Sequence, residues 1–82
     1  MEIRVLGTGC PKCKKLYAEA EQAIAHAGIP VTLTKVEKLD EIMDYGVMMT
    51  PALVVAGEVK CSGRIPKAAE IVTWIMTAAA KE

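Results

Sequence analysis

Cys10-Pro11-Lys12-Cys13 places two thiols three positions apart, and Cys61 supplies a third. A thiolate attacks disulfides and also ligates soft metals, so a close pair points to redox exchange or to metal. A structural staple is the weaker reading. In the chain-entropy treatment a loop this tight contributes about 2 kcal/mol, against about 3 for a loop of about fifteen residues. Three cysteines in 82 residues are also too few for a disulfide-stapled miniprotein.

The surrounding elements give the two thiols different environments. Glu2 to Leu6 has Ile3 and Val5 on one face and reads as a strand that Gly7-Thr8-Gly9 breaks. A long helix follows from Pro11, whose missing N–H suits a first turn, and Gly28 ends it. Cys13, Leu16, Tyr17, Ala20, Ala23, Ile24 and Ala27 form its apolar stripe. Cys10 therefore falls at the helix N-terminus, where free N–H groups and the macrodipole favour an anion. Lys12 and Lys14 add positive potential. Thiols so placed titrate anywhere from roughly 3.5 to 7.5, against about 8.5 unperturbed. Cys13 lies on the buried stripe and is less accessible. Cys10 is thus the expected nucleophile on a substrate disulfide, and Cys13 the thiol that resolves the mixed disulfide.

Val31 to Val36 is the second predicted strand, completing a parallel strand–helix–strand unit. A short helix is predicted over Lys38 to Tyr45, with Leu39, Ile42 and Met43 as its apolar face. Ala52 to Ala56 is a continuous apolar strand, and Gly57 turns the chain into a hairpin partner over Glu58 to Ser62. Pro66 opens a final helix with Ala69, Val72, Ile75, Met76 and Ala79 inward, its Ala78-Ala79-Ala80 end fraying. The order βαβαββα describes one α/β domain over residues 1–82.

Thr50-Pro51 stands directly before the third strand, where a proline is tolerated only at the first position. If that strand runs antiparallel to the first, its start lies beside Cys10. A cis Thr50–Pro51 bond there would leave a backbone edge free to pair with an extended substrate segment. Cys61 faces Ala52 or Val54, depending on the turn, and lies within roughly 7 Å along the strand of the Pro51 level. It reads as a small half-buried residue. His26 is roughly 20 Å along the helix from Cys13 and cannot share its site. Met43, Met48, Met49 and Met76 read as core and groove surface, and Trp74 as packing.

At these residues the chain resembles the thioredoxin superfamily. Tyr45-Gly46-Val47-Met48-Met49-Thr50-Pro51 is similar to the stretch that leads into thioredoxin's cis-proline. Pro51-Ala52-Leu53-Val54-Val55-Ala56-Gly57, with Ser62-Gly63 after it, has the shorter spacing of glutaredoxins, and so does Pro11 inside the cysteine pair. The Gly-x-Gly-Cys-x-x-Cys opening and Ser62-Gly63-Arg64-Ile65-Pro66 resemble the small group labelled redox-active disulfide protein 2. The resemblance implies a minimal thioredoxin fold, a four-stranded mixed sheet with helices on both faces. It also implies Cys10 as nucleophile, Cys13 as resolver, and Thr50, Pro51 and Gly63 lining a substrate groove that Gly9, Pro11 and Lys12 complete. Two positions depart from thioredoxin. Gly9 stands where a tryptophan precedes the first active cysteine, and Arg4 replaces the buried acid six residues before it.

The rival is a Cu(I) or Hg(II) module, since Gly7 to Cys13 is similar to the Gly-Met-Thr-Cys-x-x-Cys loop of heavy-metal-associated domains. Those domains run βαββαβ and end in a strand. The order read here ends in a helix, so redox exchange is the expected function and Cys10 and Cys13 as metal ligands the alternative. Composition narrows partners further. Ten Lys and Arg balance ten Asp and Glu, the wrong footprint for a nucleic-acid binder. No apolar run approaches the roughly 18 residues of a membrane span, and the start lacks a signal-peptide layout. The expectation is a cytoplasmic monomer acting on disulfide-containing proteins. It would use no cofactor beyond the Cys10–Cys13 disulfide, with a reductase or glutathione as electron donor.

Overall fold

Among the described residues, four strands and three helices occur in the order β1 (Glu2–Leu6), α1 (Pro11–Ala27), β2 (Thr32–Val36), α2 (Leu39–Asp44), β3 (Ala52–Val55), β4 (Glu58–Ser62) and α3 (Ala68–Ala80). The computed structural model describes residues 1–81. The sheet order is β2-β1-β3-β4. β1 pairs parallel with β2 and antiparallel with β3, and β3 pairs antiparallel with β4. This is a minimal thioredoxin fold.

Period-two alternation sends β1 to both faces of the sheet. Ile3 and Val5 join Leu53, Val55 and Cys61 beneath α1 and α3, which supply Leu16, Ala20, Ala23, Ile71 and Ile75. Leu6 points the other way, into a smaller cluster with Val36, Ile42, Ala52 and Val54 under α2. The two-turn α2 buries only Ile42, and Leu39 and Met43 stay exposed. The expected three-residue apolar face is therefore corrected to one. Polar groups cover the rest of that side. Arg4 bonds Glu2 at 2.7 Å and also the Tyr45 hydroxyl, and the Thr34 hydroxyl donates to Glu2 at 3.1 Å.

The α1 stripe is as read from its spacing, with Cys13, Leu16, Ala20 and Ala23 buried and Gly28 capping the helix at φ 69°. Two other readings need correction. The final helix starts at Ala68, not Pro66, and buries Ile71 and Ile75 while Ala69 and Met76 lie outside. Its start is set from a distance: the Ala68 N–H donates to Glu19 Oε2 of α1 at 3.0 Å. Lys67 at the N-cap makes no side-chain cap. In the hairpin, Ala56 and Gly57 turn the chain with positive φ, but the register shifts between Leu53 and Val54. Lys60 is the extra residue of this bulge, and it places Cys61 opposite Leu53 rather than Ala52 or Val54. Cys61 consequently points into the main core and is buried, not half-buried.

The Glu19 cap ties α3 to α1, so Glu19→Ala is expected to cost about 1 kcal/mol. That loss lowers Tm by roughly 5 °C in a domain of this size. The exposed Glu21 on the same helix provides the control, with Glu21→Ala expected to stay within about 0.5 kcal/mol. Thermal denaturation of both variants checks the difference.

Candidate active site

β1 ends at Leu6, which pairs with Val36 on one side and Ala52 on the other. The chain leaving β1, the chain entering β3 and the end of β2 therefore meet at one end of the sheet. Beyond Leu6 the Gly7 N–H still donates to the Val36 carbonyl at 3.0 Å. Gly9 has φ 88°, a left-handed conformation that glycine adopts without cost, and it delivers Cys10 to the start of α1.

Cys10 is the N-cap of α1, with φ −69° and ψ 163°. Its Sγ accepts from the Cys13 N–H at 3.3 Å, and its carbonyl accepts from the Lys14 N–H at 3.1 Å. The Cys10 thiol is held below its ordinary range, first by the Cys13 thiol and then by backbone N–H groups of Cys13, Lys12 and Cys10 itself. The leading causes are thus the cap and its partner thiol rather than the Lys12 and Lys14 ammonium groups. Cys13 behaves oppositely. It is only 6% exposed, and burial together with the Cys10 thiol pushes it up. Cys61 is also pushed up by burial and lies in the main core. All three are free thiols.

The second wall of the site comes from β3 and β4. The Thr50–Pro51 bond is cis, Pro51 is buried and Thr50 is exposed. The Gly63 N–H donates to the Pro51 carbonyl at 2.9 Å, tying the segment after β4 to the segment before β3. Met49 lies over Gly63, where an added Cβ would come within 3.0 Å of its Cε. Met49 is 62% exposed and Met48 96%, so they belong to the groove surface and not to the core. Met43 and Met76 are exposed as well, which removes them from the core too. Gly9, Pro11 and Lys12 are exposed around Cys10, and His26 is exposed in the last turn of α1.

Two residues of the site escaped the sequence reading. A Cβ on Gly7 would lie 2.2 Å from Cys13 Sγ, so only glycine lets that sulfur seat against the end of β1. Reading Gly7 as a strand breaker missed this packing role. Glu37 follows β2 directly, and its Oε2 lies 3.4 Å from where a Cβ on Gly9 would be. The Leu6–Val36 register carries that signal, because it places the residue after β2 beside the loop after β1. Glu37 shares a small cavity of about 70 Å³ with Val5, Gly7, Cys13, Tyr17 and Lys35. A wider depression of about 430 Å³ lies between Arg4, Thr34, Glu41, Asp44 and Tyr45. It holds neither thiol.

The observed order βαβαββα ends in a helix, unlike the βαββαβ order of heavy-metal-associated domains. Among the described residues no three His, Cys, Asp or Glu side chains gather as a metal-binding group. The pair has the geometry of a dithiol couple, an accessible thiol at a helix N-terminus and a buried one a turn behind it.

A thioredoxin domain family model matches residues 1–76. A thioredoxin of Methanothermobacter thermautotrophicus is 37% identical over 71 residues, covering 87% of this chain and 92% of that protein. A thioredoxin of Methanocaldococcus jannaschii is 36% identical over 69 residues, covering 84% of this chain and 79% of that protein. With this fold, this placement of Cys10 and Cys13 and these relatives, the chain belongs to the thioredoxin domain family.

Proposed function

We propose that the chain is a thiol–disulfide oxidoreductase that reduces or exchanges protein disulfides through the Cys10–Cys13 couple. The observation that carries this reading is the contrast between a partly exposed Cys10 capping α1 and a buried Cys13 one turn later. In the reductive direction the Cys10 thiolate attacks one sulfur of a substrate disulfide. A mixed disulfide forms, and the electron pair of the broken bond leaves on the second substrate sulfur, which takes a proton from solvent. Cys13 then attacks the Cys10 sulfur, closes the Cys10–Cys13 disulfide and releases the first substrate sulfur. Two electrons pass to the substrate, and a reductase or glutathione returns them. No cofactor beyond the cysteine couple is required.

The substrate segment lies along Thr50, whose exposed backbone offers strand-like pairing, with Pro51 and Gly63 forming the floor of the groove. Gly9, Pro11 and Lys12 border it on the Cys10 side. Met48 and Met49 present flexible, polarisable surface that adapts to different apolar neighbours of a substrate cysteine. We place this activity in a reducing cytoplasm, carried out by a monomer.

Cys13→Ser is expected to leave Cys10 linked to substrate as a stable mixed disulfide, visible as a mass increase that dithiothreitol reverses. Cys10→Ser is expected to trap nothing. If the Cys13→Ser variant traps no protein and the reduced wild type reduces no disulfide, the redox reading fails.

The opposite shifts of the two thiols set a pH order. Cys10 alkylation by iodoacetamide is expected to reach half its plateau at a lower pH than an unperturbed thiol, and Cys13 and Cys61 at a higher pH. Mass mapping of alkylated peptides across pH checks the order, and equal midpoints for Cys10 and Cys13 contradict it.

A further inference from the structure

The resolving step sets a proton problem that the thiols do not solve themselves. Cys13 must become a thiolate before it attacks the Cys10 sulfur, and burial holds it as a thiol. Something beside it must take that proton. The cavity next to Cys13 contains few candidates. β1 and the loop after it line it with Val5, Gly7 and Gly9, none of which titrates. Arg4, which directly precedes Val5 in β1, faces the other side and is engaged by Glu2 and Tyr45. α1 contributes Lys14 and Tyr17, and β2 contributes Lys35. Lys35 Nζ lies 4.6 Å from the centre of the Tyr17 ring. Ammonium groups and a neutral phenol donate protons at neutral pH and do not accept them. Among the described residues, Glu37 is the one carboxylate lining the cavity.

Its position follows from the sheet. Leu33 packs against the main core and Lys35 reaches Tyr17, so alternation along β2 sends the next odd residue, Glu37, to the α1 side. Glu37 is an exposed residue, so its carboxyl exchanges protons with bulk water, while its Oε2 lies against Gly9 next to the nucleophile. A cavity of about 70 Å³ that Lys14, Lys35 and Glu37 help to line is large enough to hold a bridging water. The two ammonium groups in the same cavity favour the negative charge that appears on Cys13 as the proton leaves.

We propose that Glu37 is the proton acceptor for Cys13 in the resolving step, acting through water in the cavity the two residues share. This rests on the redox reading above and adds a residue to it. The Cys13 thiol gives its proton to the Glu37 carboxylate, and the Cys13 thiolate attacks the Cys10 sulfur of the mixed disulfide. The Cys10–Cys13 bond forms, the Cys10–substrate bond breaks, and its electron pair leaves on the substrate sulfur. That thiolate takes up a proton from Glu37 or from solvent. In the reverse direction, as a donor opens the Cys10–Cys13 disulfide, Glu37 returns a proton to the departing Cys13.

The two steps separate in a stopped-flow reaction of the reduced full chain with excess dithiobis(nitrobenzoate). Attack by Cys10 releases one coloured thiolate at a rate that scales with reagent concentration. Closure by Cys13 releases a second at a rate that does not. Glu37→Gln is expected to slow closure relative to the first phase by about tenfold or more at neutral pH, the lower range for loss of a general base. The gap narrows as pH rises and Cys13 ionises unaided, and Glu37→Asp recovers part of the loss. A wild-type ratio of the two phases in Glu37→Gln overturns the proposal, and so does a slowing that is the same at every pH. Absence of the first phase in the wild type instead overturns the redox reading itself.

Discussion

Everything functional in this protein depends on where β1 stops. Leu6 is the last paired residue of the strand on both of its sides. The chain then has only Gly7 to Gly9 in which to leave the sheet before α1 begins. α1 must start close against the sheet end, and it does so by setting the Cys13 sulfur on the bare backbone of Gly7. That contact fixes how far α1 stands from β1 and buries Cys13. It also turns the free N–H groups of the first helical turn toward Cys10. Strand pairing, a glycine without a side chain and helix polarity together make one thiol easier to ionise and the other harder.

The resulting asymmetry has a direction. Bonds that hold Cys10 as a thiolate exist only while the couple is reduced, so they favour the reduced form and make the disulfide a better oxidant. Burial of Cys13 works against its ionisation and keeps it from reacting with outside reagents. The same arrangement that activates the first step therefore hinders the second unless a base is at hand. An accessible thiol and a buried one are two outcomes of a single helix placement.

Much of this was legible in the sequence because it is local. The Cys10–Cys13 spacing, Pro11 in the first turn, the α1 stripe and the Gly28 cap are properties of neighbouring residues, and each is found where the pattern puts it. What escaped depends on contacts between distant segments. The start of α3 is set by Glu19 from α1, and the helix buries Ile71, which its local pattern did not single out, along with Ile75. The bulge at Lys60 is a mismatch between two strands and carries no local mark, yet it sends Cys61 into the core. The exposure of Leu39 and Met43 follows from how little of the sheet a two-turn helix covers. Gly7 and Glu37 look ordinary until the register of β1 against β2 sets both beside Cys13.

Arg4 shows how the two faces of the sheet constrain each other. The α2 side has a thin apolar cluster, and Arg4, Glu2, Thr34 and Tyr45 cover the remainder with a polar network. A strand residue used there cannot also reach α1, because alternation gives each residue one face. Commitment of Arg4 to that network leaves β1 with no ionisable group on the Cys13 side. The adjacent parallel strand ends at the same level, and the residue after its end carries a carboxylate toward α1. In so small a sheet, a proton acceptor for Cys13 comes from the neighbouring strand because the central one is already used for packing.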